Sequence, residues 1–149
     1  MKATIYLRIA SALTLVHAAL HTAGGVFGKV PPGPASVAAA AMQANEFVVF
    51  GLTRTYWQFF RGMGLAVSIF LTIEAVVFWQ LASLVKKDGV AVRPILAAFV
   101  VAYLAMAVNS YEYFFAAPVV TEVLIAACLG LAWMSAGAQT RAGVESVTA

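Results

Sequence analysis

WQFFRGMGLAVSIFLTIEAVVFWQLASLV, residues 57–85, decides the fold class. Between Arg61 and Lys86 its only charged residue is Glu74. A helix needs roughly 20 mostly apolar residues to cross a bilayer, and this stretch exceeds that length. Three more stretches meet the same requirement: about Ile5–Phe27, Arg93–Phe115 and Val119–Gly137. The links between the last three are short, which forces antiparallel neighbours. The expectation is an all-α, four-transmembrane-helix antiparallel bundle, with residues 1–149 forming one integral membrane domain.

Composition agrees. Of 149 residues, 63% are hydrophobic and 10% charged, with a mean hydropathy of +0.93. Soluble domains are about 45–50% apolar and about 25% charged. So few charges cannot clothe a water-soluble fold, which argues against a cytosolic enzyme, a disordered chain or a secreted disulfide scaffold. Cys128 is the only cysteine, so no intrachain disulfide can form. The net charge of +3 does not signal nucleic acid, because the basic residues flank apolar stretches instead of forming a patch.

Those flanks orient the chain. Lys2, Arg8, Lys86, Lys87, Arg93 and Arg141 fall on one side of the membrane; Lys29, Arg54 and Arg61 fall on the other. The bias places both termini inside; the expected setting is a bacterial inner membrane, with the long first loop facing the periplasm. A cleaved signal peptide is the rival reading of the first span, but Arg8 interrupts the expected order and the apolar run is too long.

The first loop starts with Lys-Val-Pro-Pro-Gly-Pro at residues 29–34, a rigid stop. Ser36, Ala39, Gln43 and Glu46 then recur at helical spacing. That pattern predicts a short interfacial helix over about 36–50, serving as a connector in preference to a lid.

Polar residues inside spans mark helix contacts or function. Ala10, Thr14, His17, His21, Gly24 and Gly28 share one face of the first span. The i,i+4 spacing aims His17 and His21 at one region. Such a pair can bond another helix, serve a ligand or proton, or help hold a metal if other helices add ligands. Residues 18–20, Ala-Ala-Leu, lack the glutamate of the zinc-protease motif. Glu74, near mid-membrane, is costly as a bare ion, so it is expected to be protonated, paired or beside water. It suits either function or a subunit interface.

At the outer level, Arg54, Arg61, Glu112 and Glu122 suggest ion pairs, and Tyr56, Trp57, Tyr111 and Tyr113 match an aromatic belt. Asn109 shares a small-residue face with Ala98, Ala102 and Ala105. Small-xxx-small pairs such as Gly24–Gly28 and Gly64–Ser68 would permit close helix approach.

His21-Thr-Ala-Gly-Gly25, followed by Arg54-Thr-Tyr-Trp-Gln-Phe-Phe-Arg-Gly-Met-Gly-Leu65, resembles an uncharacterised family of small four-helix bacterial integral membrane proteins, loosely similar in plan to the DoxX-like group. The resemblance implies a four-span architecture and no particular activity. Signatures of other four-helix membrane proteins are missing, among them the cysteine pairs of disulfide-oxidising enzymes.

The leading expectation is a protein that binds a small or lipid-like ligand in a polar pocket in the outer half of the bundle. His17, His21, Arg61, Asn109 and Glu112 are its candidate ligand-binding residues, and Glu74 is the buried ionisable group. One alternative is a membrane enzyme using His/Glu acid–base or metal chemistry on a lipid- or quinone-like substrate. Another is a structural subunit of a membrane complex. The expected partners are the lipid bilayer, a lipid-like ligand and further copies of the chain, with no nucleic acid. No cofactor follows from the sequence, and no metal is assigned beyond the candidacy of His17 and His21.

Overall fold

The computed structural model describes residues 2–148, with side chains as far as Ala136; the side chain of Arg141 lies outside the described ones. Helix α1 spans Lys2–Leu20 and runs into a π-helical segment, His21–Val26. Helix α2 (Pro34–Ala44) and an antiparallel hairpin, β1 (Glu46–Val49) and β2 (Leu52–Thr55), precede α3 (Tyr56–Leu84). Helices α4 (Gly89–Tyr113) and α5 (Ala116–Thr148) complete the chain. Four helical stretches are long and apolar enough to cross a bilayer: Lys2–Val26, Tyr56–Leu84, Gly89–Tyr113 and Ala116–Ala136. The protein is a four-span, helical membrane protein, and lipid is its solvent.

The chain divides into two compact units, Met1–His17 with Thr72–Ala149, and Ala18–Leu71. The first unit is a four-helix core. Ala3, Leu7 and Ala10 of α1 meet Phe78, Leu81, Ala82 and Val85 of α3. Val92, Leu96 and Tyr103 of α4 and Ile125, Ala126, Leu129 and Ala132 of α5 close it. The three- and four-residue steps keep these residues on one face of each helix. Phe78 is wholly buried and sits edge-on to Phe99, with centroids 4.8 Å apart.

Local chemistry sets the helix ends. Asp88 caps α4, its carboxylate accepting from the Ala91 N–H at 3.0 Å. Gly89 follows with little room, since a Cβ there would lie 2.8 Å from the Ala136 carbonyl oxygen. That contact sets the start of α4 beside Ala136 of α5. Lys86, Lys87 and Arg93 therefore flank one end of this unit.

Arginines inside spans rest on rings. The Arg8 guanidinium carbon lies 3.2 Å from the Trp79 centroid, and that of Arg93 lies 4.5 Å from Trp133. A flat, weakly hydrated cation over an aromatic face recovers part of what it loses on leaving water.

In the second unit the structure departs from the sequence reading. The helix expected over about 36–50 occupies only Pro34–Ala44. Gly33, at φ 99°, turns the chain, and Pro34 suits the first helical turn. Asn45 ends the helix, its side-chain amide donating to the Ala41 carbonyl at 2.8 Å. Residues 46–49 then pair with 52–55, with Phe50 and Gly51 both left-handed at the turn (φ 47° and 76°). Two consecutive left-handed residues make the turn whose twist suits a hairpin. Phenylalanine is not the residue usually found there, which is why the turn left no mark in the sequence. Thr55 and Gln58 form a reciprocal cap on α3: Gln58 N–H donates to Thr55 Oγ1 at 3.1 Å, and Thr55 N–H to Gln58 Oε1 at 3.0 Å.

Candidate functional site

Each helix of the first unit contributes polar side chains to its interior. The Tyr103 hydroxyl donates to Glu74 Oε2 at 2.6 Å. On its other side Thr14 Oγ1 lies 3.4 Å away and itself donates to the Ala10 carbonyl at 2.9 Å. Beside them Ser11 donates to the Ala75 carbonyl at 2.7 Å, tying α1 to α3. Thr14 and Tyr103 are buried, while Glu74 is half-buried. Tyr103 alone bonds Glu74 Oε2, Thr14 of α1 lies against the same Tyr103 hydroxyl, and the carboxyl keeps a partly open side.

A second polar pair sits further along α4. Ser110 donates to Glu122 Oε1 at 3.0 Å, and Glu122 is only 2% exposed. Its Oε2 is buried with no hydrogen-bond partner among the described residues. The sequence placed Glu122 at an outer ion-pairing level; the structure gives it a serine instead.

In the second unit the π-helical segment organises the contacts. Phe27 N–H reaches the Thr22 carbonyl at 3.0 Å, five residues back, which is the π pattern. The widened turn brings the His21 ring beside Gly25 and sets Nε2 3.1 Å from the Gly64 carbonyl. A carbonyl only accepts, so Nε2 carries the proton of that bond. Thr22 Oγ1 meets Ser68 Oγ at 2.8 Å and the Ala18 carbonyl at 2.6 Å. Arg61 covers the Phe27 ring, with 4.8 Å from guanidinium carbon to centroid.

The residues singled out from sequence therefore fall in different settings. His21 and Arg61 belong to the second unit, and each has a partner there. His17 belongs to the first unit and is half-buried. Asn109 and Glu112 are exposed. The inward face of α4 is Val92, Leu96, Tyr103, Ala107 and Ser110, so the stripe Ala98, Ala102, Ala105, Asn109 points outward. Arg54 is exposed and donates to its neighbour's carbonyl, Thr53 O, at 2.7 Å. Tyr103 was missed altogether. A tyrosine deep within a span must find a partner for its hydroxyl, and that signal was available.

Among the described residues, no three His, Cys, Asp or Glu side chains converge well enough to hold a metal ion. Compared with protein-family models, curated proteins and solved structures, the chain finds no match.

Proposed function

We propose that this membrane protein binds a small or lipid-like ligand through hydrogen-bonding groups held within the bilayer, with Glu74 as the anchor. The observation that carries this reading is the half-buried Glu74 carboxyl held by the Tyr103 hydroxyl at 2.6 Å. A polar group placed in hydrocarbon is costly and is a functional candidate by default. Holding one oxygen fixed while the group stays partly open supplies a preorganised contact for a hydroxyl, amide or carbonyl of an otherwise apolar molecule. We place both termini on the cytoplasmic side, a reading supported by Lys86, Lys87 and Arg93 gathering at one end of the first unit.

The test is to purify the protein in a mild detergent and identify co-purifying small molecules by mass spectrometry, beside Glu74→Leu and Tyr103→Phe. A lipid-like species retained by the parent and depleted in both variants is expected. Equal retention in all three would remove Glu74 as the anchor.

A specific observation also favours self-association. The outward stripe of α4 combines Ala98, Ala102 and Ala105 with exposed Asn109. Small residues allow helices to approach closely, and an amide in lipid gains from a partner on another helix. Crosslinking through cysteines placed at Ala102 and Ala105, in a Cys128→Ala background, tests it. A dimer band that Asn109→Leu diminishes supports association through this stripe; crosslinking no greater than from Val101 counts against it.

A further inference from the structure

The β1–β2 hairpin ends in a feature that neither the core nor the polar contacts require. Phe50 is fully exposed and adopts φ 47°, a left-handed backbone that favours Gly, Asn or Asp. The sequence thus places a bulky apolar ring where a small or polar residue would be conformationally easier and better solvated. Val48, Val49 and Leu52 around it are exposed as well. Such a strained, apolar tip calls for an occupant on its outer side.

We propose that the hairpin tip inserts into the lipid headgroup layer, with Phe50 as a wedge that anchors the loop to the bilayer. Continuity with the span identifies the occupant. Strand β2 ends at Thr55, α3 begins at Tyr56, and the Thr55–Gln58 cap leaves no slack between them. The Phe47 ring lies 5.0 Å from Tyr56 and 5.6 Å from Phe59, so the hairpin is fastened to the first turn of the span. Four residues per strand reach about 13 Å, which keeps the tip near the level where the chain enters lipid. The lipid-facing side of α3 continues the same surface through exposed Phe59, Phe60 and Met63. Arg54 is exposed on β2 and offers a guanidinium to lipid phosphate, while Glu46 sits at the open end of the ladder, opposite Thr55. An apolar tip beside a basic side chain suits the boundary between acyl chains and phosphates.

The experiment places one cysteine at a time in a Cys128→Ala background: Phe50→Cys, Leu52→Cys, and Lys87→Cys in an exposed connector. Each is labelled with an environment-sensitive fluorophore and incorporated into phosphatidylcholine nanodiscs. Quenching is then read with aqueous iodide and with lipid spin-labelled near its headgroup. Labels at 50 and 52 are expected to be blue-shifted, quenched by the spin-labelled lipid, and several-fold less quenched by iodide than the label at 87. Iodide quenching equal to that at 87 would place the tip in water and overturn the proposal. Protection from both quenchers would mean a protein surface covers the tip, and would overturn it too. A second variant separates anchoring from folding. Phe50→Asn suits the left-handed turn, so the hairpin is kept, yet lipid quenching at 52 is expected to fall. Unchanged quenching there would show that Phe50 is not the wedge.

Discussion

Tyr103 and Glu74 are joined across two helices by a 2.6 Å hydrogen bond from the phenolic hydroxyl to Oε2. In lipid such a bond has no water to replace it, although the partly unfolded chain finds other partners. Measured interhelical bonds of this kind are consequently modest, about 0.6 kcal/mol on average and up to about 1.7 kcal/mol. Tyr103→Phe keeps the ring beside Phe78, with centroids 6.0 Å apart, and removes only the hydroxyl. A loss within that range is expected in reversible unfolding from mixed micelles. Glu74→Gln retains a carbonyl oxygen and should lose less than Glu74→Leu. The coupling is read from the double variant Tyr103→Phe/Glu74→Leu: strictly additive losses would mean that the two side chains do not support one another.

His21 gives a prediction about a proton. Its Nε2 lies 3.1 Å from the Gly64 carbonyl, which requires a donor. The neutral ring must then be the Nε2–H tautomer, leaving Nδ1, beside Gly25, as the acceptor. Nitrogen-15 NMR of selectively labelled protein, at a pH where the ring is neutral, should show a protonated Nε2 and an unprotonated Nδ1. The opposite pattern would break the proposed link to Gly64. His21→Gln preserves a donor and should be closer to the parent in stability than His21→Leu.

The spans were legible because length and apolarity alone define them; the first three run within a few residues of the expected limits, and the fourth starts three residues before the expected Val119. Facing was legible in part. On α1, buried Ala10 and Thr14 lie on the face read from small and polar residues. On α4 the same reasoning chose Asn109, whereas Ser110 is the buried neighbour. The physical cause is that lipid and core are both apolar, so hydrophobic periodicity no longer separates inside from outside. Small residues then become the main guide, and α4 fills its interior with Leu96 and Tyr103 instead. The π segment and the hairpin were invisible for another reason: each rests on a local backbone conformation that no sequence spacing reports.

Glycines at three positions should respond very differently to alanine. Gly24 and Gly28 look alike in the sequence, as one small-xxx-small pair. A Cβ at Gly24 meets nothing within 4 Å, while one at Gly28 collides with the Gly24 carbonyl. The requirement at Gly28 is therefore internal to the segment that closes the π turn. Gly64 is intermediate, since its Cβ would sit 3.0 Å from Val26 Cγ2. Gly28→Ala is expected to cost about 1–3 kcal/mol through forced backbone shifts. Gly64→Ala should cost less, because a valine methyl can yield. Gly24→Ala should be neutral or slightly stabilising, as alanine is the better helix former. Thermal unfolding in detergent ranks the three, and an equal cost at Gly24 and Gly28 would restore the interhelical explanation.

Glu122 tests how an incompletely satisfied carboxyl is tolerated in a span. It is 2% exposed, takes one bond from Ser110 at 3.0 Å, and leaves Oε2 without a partner among the described residues. Removing the donor and removing the acceptor should then have opposite consequences. Ser110→Ala strips the carboxyl of its only described donor, which is expected to cost about 1–3 kcal/mol, the usual penalty for a buried polar group left unmatched. Glu122→Met replaces the carboxyl with an apolar chain of similar length and ends the need for a partner. Ser110 can turn its hydroxyl to a carbonyl one helical turn back, so nothing is orphaned in exchange. Glu122→Met is therefore expected to be neutral or stabilising, as apolar replacements of buried polar groups often are. Glu122→Gln should lie between the two. A Glu122→Met variant less stable than Ser110→Ala would mean that Oε2 is matched in the folded protein by a group outside the described contacts, such as an internal water.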